Sequence, residues 1–156
     1  MQTVLIPTDF SVSAPDCIPA LCNQFRQQDL SLVFVHLFKL SDSESELLIL
    51  SRRSKEFELV TDEFQSRCLE LKRKYRQIQS LRVEFFYGNT MQTFKNFLEG
   101  NCIDYILHPA DCKVSKLNKY SIDPVTLVHK CGLPFTGRIL RAETIRMKQP
   151  VEAATA

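Results

Sequence analysis

Short apolar runs alternate with segments of helical periodicity along most of the chain, and this alternation constrains the fold more than any other feature. Between the apolar runs, hydrophobic residues recur every three or four positions, which is the spacing of one helix face. Strands that alternate with helices pair in parallel through right-handed crossovers. The sequence therefore predicts an α/β fold, a Rossmann-like, doubly wound, five-stranded parallel sheet with helices on both faces. The predicted strands run from Thr3 to Pro7, Leu30 to Leu40, Leu81 to Tyr87, Cys102 to His108 and Leu133 to Leu140.

The segments between the strands carry predictions of their own. Apolar residues at steps of three and four over residues 57–78 predict one long helix. The apolar patch from Leu47 to Leu50 lies ahead of it and is read either as an extra turn of helix or as a lid. The predicted helix caps are Ser13, one of Asn89 and Thr90, and Ser121, with Gly100 and Gly132 at helix ends.

One domain and a short tail account for the 156 residues. We expect the domain to span residues 1–141 and residues 142–156 to form a flexible tail. The chain enters a strand directly after Met1, without a basic leader, and its apolar runs are shorter than the roughly 20 residues of a membrane span. Six cysteines without a CxxC pair are typical of free thiols in a reducing compartment. We therefore expect a cytoplasmic protein without membrane association.

Charge does not indicate a nucleic-acid partner. The formal net charge is +2, and the basic residues are interleaved with apolar ones at helical spacing, which is typical of a solvated helix face. No nucleic-acid-binding motif accompanies them.

Glycine is scarce, and the four residues lie far apart in the sequence: Gly88, Gly100, Gly132 and Gly137. A loop that wraps phosphate in bare backbone needs clustered glycines, so Walker-type and GxGxxG loops are excluded.

The sheet topology predicts where a ligand would bind, because ligands of such sheets lie beyond the carboxyl ends of the strands. Asp9 is the most suggestive residue there. Its carboxylate could accept a hydrogen bond from a ligand, or it could cap its own turn, and the sequence leaves both readings open. The candidates at this edge are Pro7, Thr8, Asp9, Ser11, Leu37, His108 to Asp111, and Ser121.

Residues suited to catalysis or metal binding do not combine into a recognised site. His36 lies within an apolar strand and is interpreted as a core histidine. His108 and Cys112 could form a nucleophile pair only if the fold brought them together, and we do not expect it. We predict no catalytic residue and no metal site.

The opening residues Val4-Leu5-Ile6-Pro7-Thr8-Asp9-Phe10-Ser11, followed by Ser13-Ala14, resemble the first strand and helix of the universal stress protein family. Four later segments continue the resemblance to about residue 140. They are Leu32-Val33-Phe34-Val35-His36, Tyr87-Gly88-Asn89, Cys102-Ile103-Asp104-Tyr105-Ile106-Leu107, and Ser121-Ile122 through Cys131-Gly132-Leu133-Pro134. The resemblance implies the universal stress protein or adenine nucleotide alpha hydrolase-like fold and a role in the stress response.

The resemblance also implies a position for nucleotide binding. Members of the family that bind ATP carry glycines spaced G-x2-G-x9-G before a Ser or Thr. With the register anchored on Ser121, Leu107, Ala110 and Tyr120 occupy those positions here, and a one-residue gap would place His108 at the first of them instead. We therefore expect no ATP and no other cofactor, and a vestigial nucleotide pocket formed by Pro7, Thr8, Asp9, Leu37, Ser121 and Ile122.

Two functions remain in view. The first is a non-enzymatic regulatory or binding protein of the stress response that acts on a protein partner and forms a homodimer through its fifth strand, from Leu133 to Leu140. The second is an adenine-nucleotide-binding switch or weak ATP hydrolase that contacts phosphate through Lys113, Lys116 or Lys119.

Overall fold

The computed structural model describes residues 1–40 and 46–137. The predicted domain boundary at residue 141, the predicted tail and residues 138–140 of the predicted fifth strand lie outside these ranges.

Five strands form one parallel sheet, as the sequence predicted, and the structure shows their order to be β3-β2-β1-β4-β5. The strands are β1 (Gln2–Pro7), β2 (Leu30–Phe38), β3 (Ile78–Tyr87), β4 (Tyr105–Leu107) and β5 (Phe135–Thr136). Leu5 is the register partner of Val33 on one side and of Ile106 on the other, so β1 lies at the centre. The strand order reverses between β1 and β4, which places the expected ligand site at their carboxyl ends.

Helices cover both faces of the sheet. They are α1 (Ile18–Gln24), α2 (Glu46–Phe57), α3 (Asp62–Lys74), α4 (Met91–Gly100) and α5 (Val125–Lys130). Two short 3₁₀ helices, Ala14–Cys17 and Pro109–Asp111, precede α1 and follow β4.

Each face of the sheet has its own hydrophobic core. On one face, Val4, Ile6 and Phe34 pack with Ile18 of α1 and Phe64 of α3. On the other face, Leu5, Val33 and Ile106 pack with Phe94 of α4 and Val128 of α5. The alternation of neighbouring residues such as Val4 and Leu5 between the two cores follows from the two-residue period of a strand.

The prediction of one long helix over residues 57–78 is wrong. Phe57 ends α2, and Thr61 begins a separate helix, because its extended backbone (ψ 151°) breaks the helix and its hydroxyl accepts a hydrogen bond from the Phe64 amide at 3.1 Å. The apolar period continues across this break because Phe57 of α2 and Phe64 of α3 both contact aromatic rings on the same side of the sheet. Leu47 to Leu50 belong to α2, so the helical alternative for that patch is correct.

The four smaller cap predictions have different outcomes. Thr90, and not Asn89, caps α4, and Gly132 ends α5 with a left-handed backbone (φ 91°) as expected. Gly100 is the last residue of α4 and so lies at a helix end as predicted, but the left-handed conformation that follows is adopted by Cys102 (φ 55°). Ser13 precedes the first 3₁₀ helix, but its side chain makes no capping hydrogen bond.

Candidate functional site

The fold brings the six predicted pocket residues to the carboxyl ends of β1 and β2. Pro7 ends β1, Thr8 is 1% exposed, and Leu37 lies near the end of β2. The amide of Ile122 donates to the Leu37 carbonyl at 2.8 Å, which attaches the segment around Ser121 to the same edge. That segment belongs to residues 112–124, which we call the β4–α5 loop.

The β4–α5 loop is bound directly to Asp9. The Asp9 amide donates to the Lys113 carbonyl at 2.8 Å, and the Ser115 hydroxyl donates to Asp9 Oδ2 at 2.9 Å. Asp9 Oδ1 accepts from the Ser11 amide at 3.0 Å, so Asp9 also caps its own turn. The backbone amide and both carboxylate oxygens of Asp9 therefore have partners within the chain.

His36 joins β2 to the same loop and is a core histidine, as the sequence predicted. Its ring is 1% exposed, with Nδ1 at 2.7 Å from the Thr8 carbonyl and Nε2 at 2.7 Å from Ser121 Oγ. A carbonyl can only accept, so Nδ1 carries the proton and the Ser121 hydroxyl donates to Nε2. Burial lowers the pKa of His36, and the Thr8 contact opposes this shift. His36 is thus a neutral anchor for the loop.

The prediction that Ser121 caps the last helix is wrong. Pro124 precedes α5, and Ser121 lies three residues earlier. The Ser121 oxygen instead accepts from the Leu117 amide at 2.9 Å and the Asn118 amide at 3.3 Å while its hydroxyl faces His36. Ser121 therefore holds the loop in a turn, because its side chain supplies the acceptor that these two amides need.

A polar cluster on α2 secures the loop from a second side. Glu56 is 5% exposed and accepts from the Tyr87 hydroxyl and from Asn118 Nδ2, both at 2.9 Å. Arg52 lies 3.5 Å from Glu56, and its guanidinium carbon stands 4.3 Å from the Tyr120 ring centroid. Burial and the contact with Glu56 raise the pKa of Tyr87. Sequence reasoning missed Glu56, because a carboxylate in an amphipathic helix carries no sign of the distant partners that bury it.

His108 and Cys112 do not form a nucleophile pair. Cys112 Sγ points to the Leu107 and His108 carbonyls at 3.6 and 3.4 Å, and burial raises the pKa of this thiol. His108 Nδ1 accepts from the Ala110 amide at 3.1 Å, and its ring packs against His129 and Phe135. The thiol is held protonated by its surroundings and has no histidine base.

Residues 107, 110 and 120 are the positions at which the resemblance implies glycines in a nucleotide-binding protein. Their side chains have different roles here. Leu107 is 1% exposed in the core, Ala110 lies in the second 3₁₀ helix, and Tyr120 contacts Arg52. Gly137, which the sequence left without a role, does need to be glycine. Its φ is 129°, and an added Cβ would collide with the Asp111 carboxylate and meet Leu107 Cδ1 at 3.0 Å.

Neither a metal cluster nor a membrane helix is found in the described ranges. Among residues 1–40 and 46–137, no three His, Cys, Asp or Glu side chains are grouped so that they could hold a metal ion. Within the same ranges, every helix is too short or too polar to cross a bilayer.

No protein-family model matches the chain, and no curated protein matches it. Solved structures do. A hypothetical protein designated PH0823 is 19% identical with a TM-score of 0.52, and the match covers 86% of this chain and 92% of that one. A universal stress protein family member from Burkholderia pseudomallei is 14% identical (TM-score 0.46; 86% and 92% covered). Another from Arabidopsis thaliana, with AMP bound, is 9% identical (TM-score 0.48; 87% and 90% covered).

At these identities the likeness concerns the fold, and the match to PH0823 has a TM-score above 0.5. The parallel order β3-β2-β1-β4-β5 with helices on both faces agrees with it. The chain therefore has the doubly wound, five-stranded parallel α/β fold that its sequence predicted, and it shares this fold with PH0823.

Proposed function

We propose that this protein is a non-enzymatic regulatory or binding protein of the universal stress protein type that acts through protein contacts and without bound ATP. We place it in the cytoplasm, in keeping with its free cysteines.

The attachment of the β4–α5 loop to Asp9 is the observation that carries this proposal. A ligand at the carboxyl ends of β1 and its neighbours β2 and β4 needs free donors and acceptors there. The Asp9 amide is bonded to Lys113, its carboxylate to Ser11 and Ser115, and His36 to Thr8 and Ser121. A nucleotide that used these groups would have to break the internal hydrogen bonds before it could form its own. The His36–Thr8 bond is buried, and leaving a buried hydrogen bond unmade costs about 1–3 kcal/mol.

A calorimetric titration with ATP and Mg²⁺ tests the proposal. We expect no saturable heat, and we expect mass spectrometry of the denatured, freshly purified protein to detect no co-purified nucleotide. Micromolar binding that Asp9→Ala abolishes and Asp16→Ala preserves would overturn the proposal. Asp16 is the control because it is an exposed carboxylate on the first 3₁₀ helix, paired only with Arg67 among the contacts described.

One observation favours the second candidate, a nucleotide-binding switch or weak ATP hydrolase. A cavity of about 380 Å³ lies beside the β4–α5 loop, and Lys116, Ser121 and Ile122 are among its lining residues. This volume is at the lower end of the range for small-molecule sites. Lys113, Lys116 and Lys119 are all exposed, so their ammonium groups are available to a phosphate.

Lys116 separates the two candidates. If the cavity binds a nucleotide, Lys116→Ala weakens ATP binding or slows phosphate release, whereas Lys95→Ala on the exposed face of α4 has no effect. If the first candidate is correct, neither variant has any binding or hydrolysis to lose.

A further inference from the structure

β3 forms one outer edge of the sheet, and within residues 1–40 and 46–137 no strand pairs with its outer side. It is also the longest strand, with ten residues from Ile78 to Tyr87. A long unpaired edge offers a row of backbone donors and acceptors to another strand. We propose that two copies of this chain associate by antiparallel pairing of their β3 strands about a two-fold axis at Val83, which makes one continuous ten-stranded sheet.

The charges of Arg82 and Glu84 favour a second copy of the chain as the partner, and they favour one pairing register. In an antiparallel pair centred on Val83, Arg82 of one copy lies opposite Glu84 of the other, and the symmetry repeats this contact. Arg82 and Glu84 are two residues apart and so lie on the same face of the sheet. Centring the axis on Arg82 or Glu84 instead would oppose like charges, which is unfavourable. The strand is therefore self-complementary in a single register.

Edge strands often carry charged residues that prevent association, but β3 carries one positive and one negative side chain, Arg82 and Glu84, and so does not repel a second copy. A protective edge repels a second copy, as a strand carrying only lysines would. Glu84 already lies 3.8 Å from Arg53 of α2 and 4.0 Å from Arg82 in the single chain. Arg82 also donates to the carbonyl and side-chain oxygens of Asn101 at 3.3 and 3.2 Å. Arg53 and Arg82 are 58% and 42% exposed in their pairs with Glu84, and exposed contacts of this kind contribute little, so exchanging them for contacts across the axis costs little.

An apolar surface accompanies the same edge on the opposite face. A groove of about 410 Å³ lies between β3 and the helices α2 and α3, with Leu81 and Val83 on its strand side. Phe57 and Leu69 line it and are both 50% exposed, although they are large and apolar. In the register centred on Val83, the two Val83 side chains meet and each Leu81 lies opposite Phe85 of the other copy. The two grooves then adjoin and bury exposed apolar surface together.

Within the described residues, β5 presents less backbone for pairing with a second strand than β3 does. It is two residues long there, and Thr136 is 1% exposed. The dimer through the fifth strand that the sequence resemblance implied is therefore the competing outcome of the experiment.

Sedimentation velocity of the full chain over a range of concentrations, with charge variants at β3, tests the proposal. We expect the wild-type protein to dimerise. Arg82→Glu turns two attractive contacts into two repulsive ones, so we expect dimerisation about 10- to 100-fold weaker. The double variant Arg82→Glu with Glu84→Arg restores opposite charges across the axis, and we expect it to dimerise like the wild type.

Glu99→Arg is the matched control, because it reverses an exposed charge on α4 away from β3, and we expect it to leave dimerisation unchanged. Circular dichroism establishes that each variant is folded. A wild-type protein that stays monomeric, an Arg82→Glu variant that dimerises normally, or a folded double variant that remains monomeric would each overturn the proposal. Normal dimerisation of Arg82→Glu would move the interface to another edge, such as β5.

Discussion

At the scale of single residues, the hydrogen bonds of His36 make the attachment of the β4–α5 loop depend on its protonation state. Neutral His36 donates to the Thr8 carbonyl and accepts from the Ser121 hydroxyl. A protonated ring would donate to Ser121 as well, although that oxygen already accepts from the Leu117 and Asn118 amides. The Ser121 hydroxyl would then lose its acceptor, which agrees with the lowered pKa of His36.

The pH dependence of stability follows from this shift. The folded chain binds the His36 proton more weakly than the unfolded chain, whose histidine titrates near 6.5. Stability contributed by neutral His36 is therefore complete above pH 6.5 and is lost as the pH falls through the lowered pKa of the folded state. Urea unfolding at a series of pH values measures this slope. We expect His36→Gln to flatten it and His129→Gln, at an exposed histidine on α5, to leave it unchanged.

Gly137 is a second residue whose identity matters for stability. We expect Gly137→Ala to lower the free energy of unfolding by about 1–3 kcal/mol, because a Cβ there both strains the backbone at φ 129° and collides with Asp111. Gly100→Ala is the control. It lies in α4 with no atom within 4 Å of its added Cβ, and alanine is the better helix former, so stability stays equal or rises by up to about 1 kcal/mol. Equal effects of the two variants in urea unfolding would contradict this account.

The sequence predicts the role of a residue well only when the residues it contacts are close to it in the sequence. His36 was recognisable as a core residue because it lies in an apolar strand. The role of Gly137 was not recognisable, because it depends on Asp111 and Leu107, which precede it by 26 and 30 residues in the sequence. For Asp9 the sequence left two readings open, and the contact with Ser11 shows the local turn that one of them required.

At the scale of elements, a buried carboxylate, Glu56, connects α2 to the β4–α5 loop and to β3. Glu56 contacts Tyr87 of β3 and Asn118 of the loop, and neither contact survives truncation of its side chain. These contacts connect three segments that are separate in the sequence. They also lie next to the backbone bond from the Lys39 amide to the Tyr120 carbonyl, which measures 2.7 Å.

We expect Glu56→Ala to loosen the β4–α5 loop before it affects the rest of the fold. The backbone amides of Lys39 and Ile122, which bond across this junction, should exchange with deuterium faster, and stability should fall by about 1–3 kcal/mol. Glu58→Ala removes an exposed carboxylate two positions along the chain and is the control. Unchanged exchange of both amides in Glu56→Ala would show that the cluster does not hold the loop.

Strands were easier to predict than helix boundaries because burial on both faces gives β1 and β2 nearly continuous apolar runs, while apolar residues alternate with polar ones over much of β3. Leu81 to Tyr87 fell within the observed β3, which begins three residues earlier at Ile78. The boundary between α2 and α3 was missed because both helices pack against the same core. Their apolar residues therefore continue to recur every three or four positions on both sides of Thr61. Only the cap at Thr61 marks the break, and a lone threonine is a weak signal.

At the scale of the whole molecule, the sheet separates two cores that contain different chromophores. The chain has no tryptophan, and its four tyrosines, Tyr75, Tyr87, Tyr105 and Tyr120, all pack against the core that contains Phe64. The core with Phe94 contains no tyrosine among its described members. Tyrosine fluorescence therefore reports on one side of the sheet, whereas circular dichroism reports on both.

This asymmetry allows a direct test of cooperativity. Phe94→Leu removes volume from a fully buried site on the side without tyrosines, and we expect it to lower the free energy of unfolding by about 1–2 kcal/mol. If the two cores unfold as one unit, the urea midpoint moves equally by tyrosine fluorescence and by circular dichroism. A fluorescence midpoint that stays in place would mean that the two sides unfold separately. Lys95→Ala, at the exposed neighbour, should move neither.

The fold class was predictable as a whole because the alternation of strand and helix admits few arrangements. The internal hydrogen bonds that fill the candidate site were not predictable in the same way. Its location follows from topology, but the bonds that Asp9 makes to Lys113 and Ser115 join residues about a hundred positions apart. Nothing local in either segment records such a pairing.

The path of the β4–α5 loop has a practical consequence for protein engineering. Placing glycines at positions 107, 110 and 120 would not by itself create a phosphate-binding loop. Leu107 is a core side chain, so removing it would leave a cavity beneath β4. A tethered loop also competes with any free ligand at an effective concentration in the millimolar range. A redesign would have to shorten or reroute residues 112–124, so that the backbone itself leaves the edge of the sheet open.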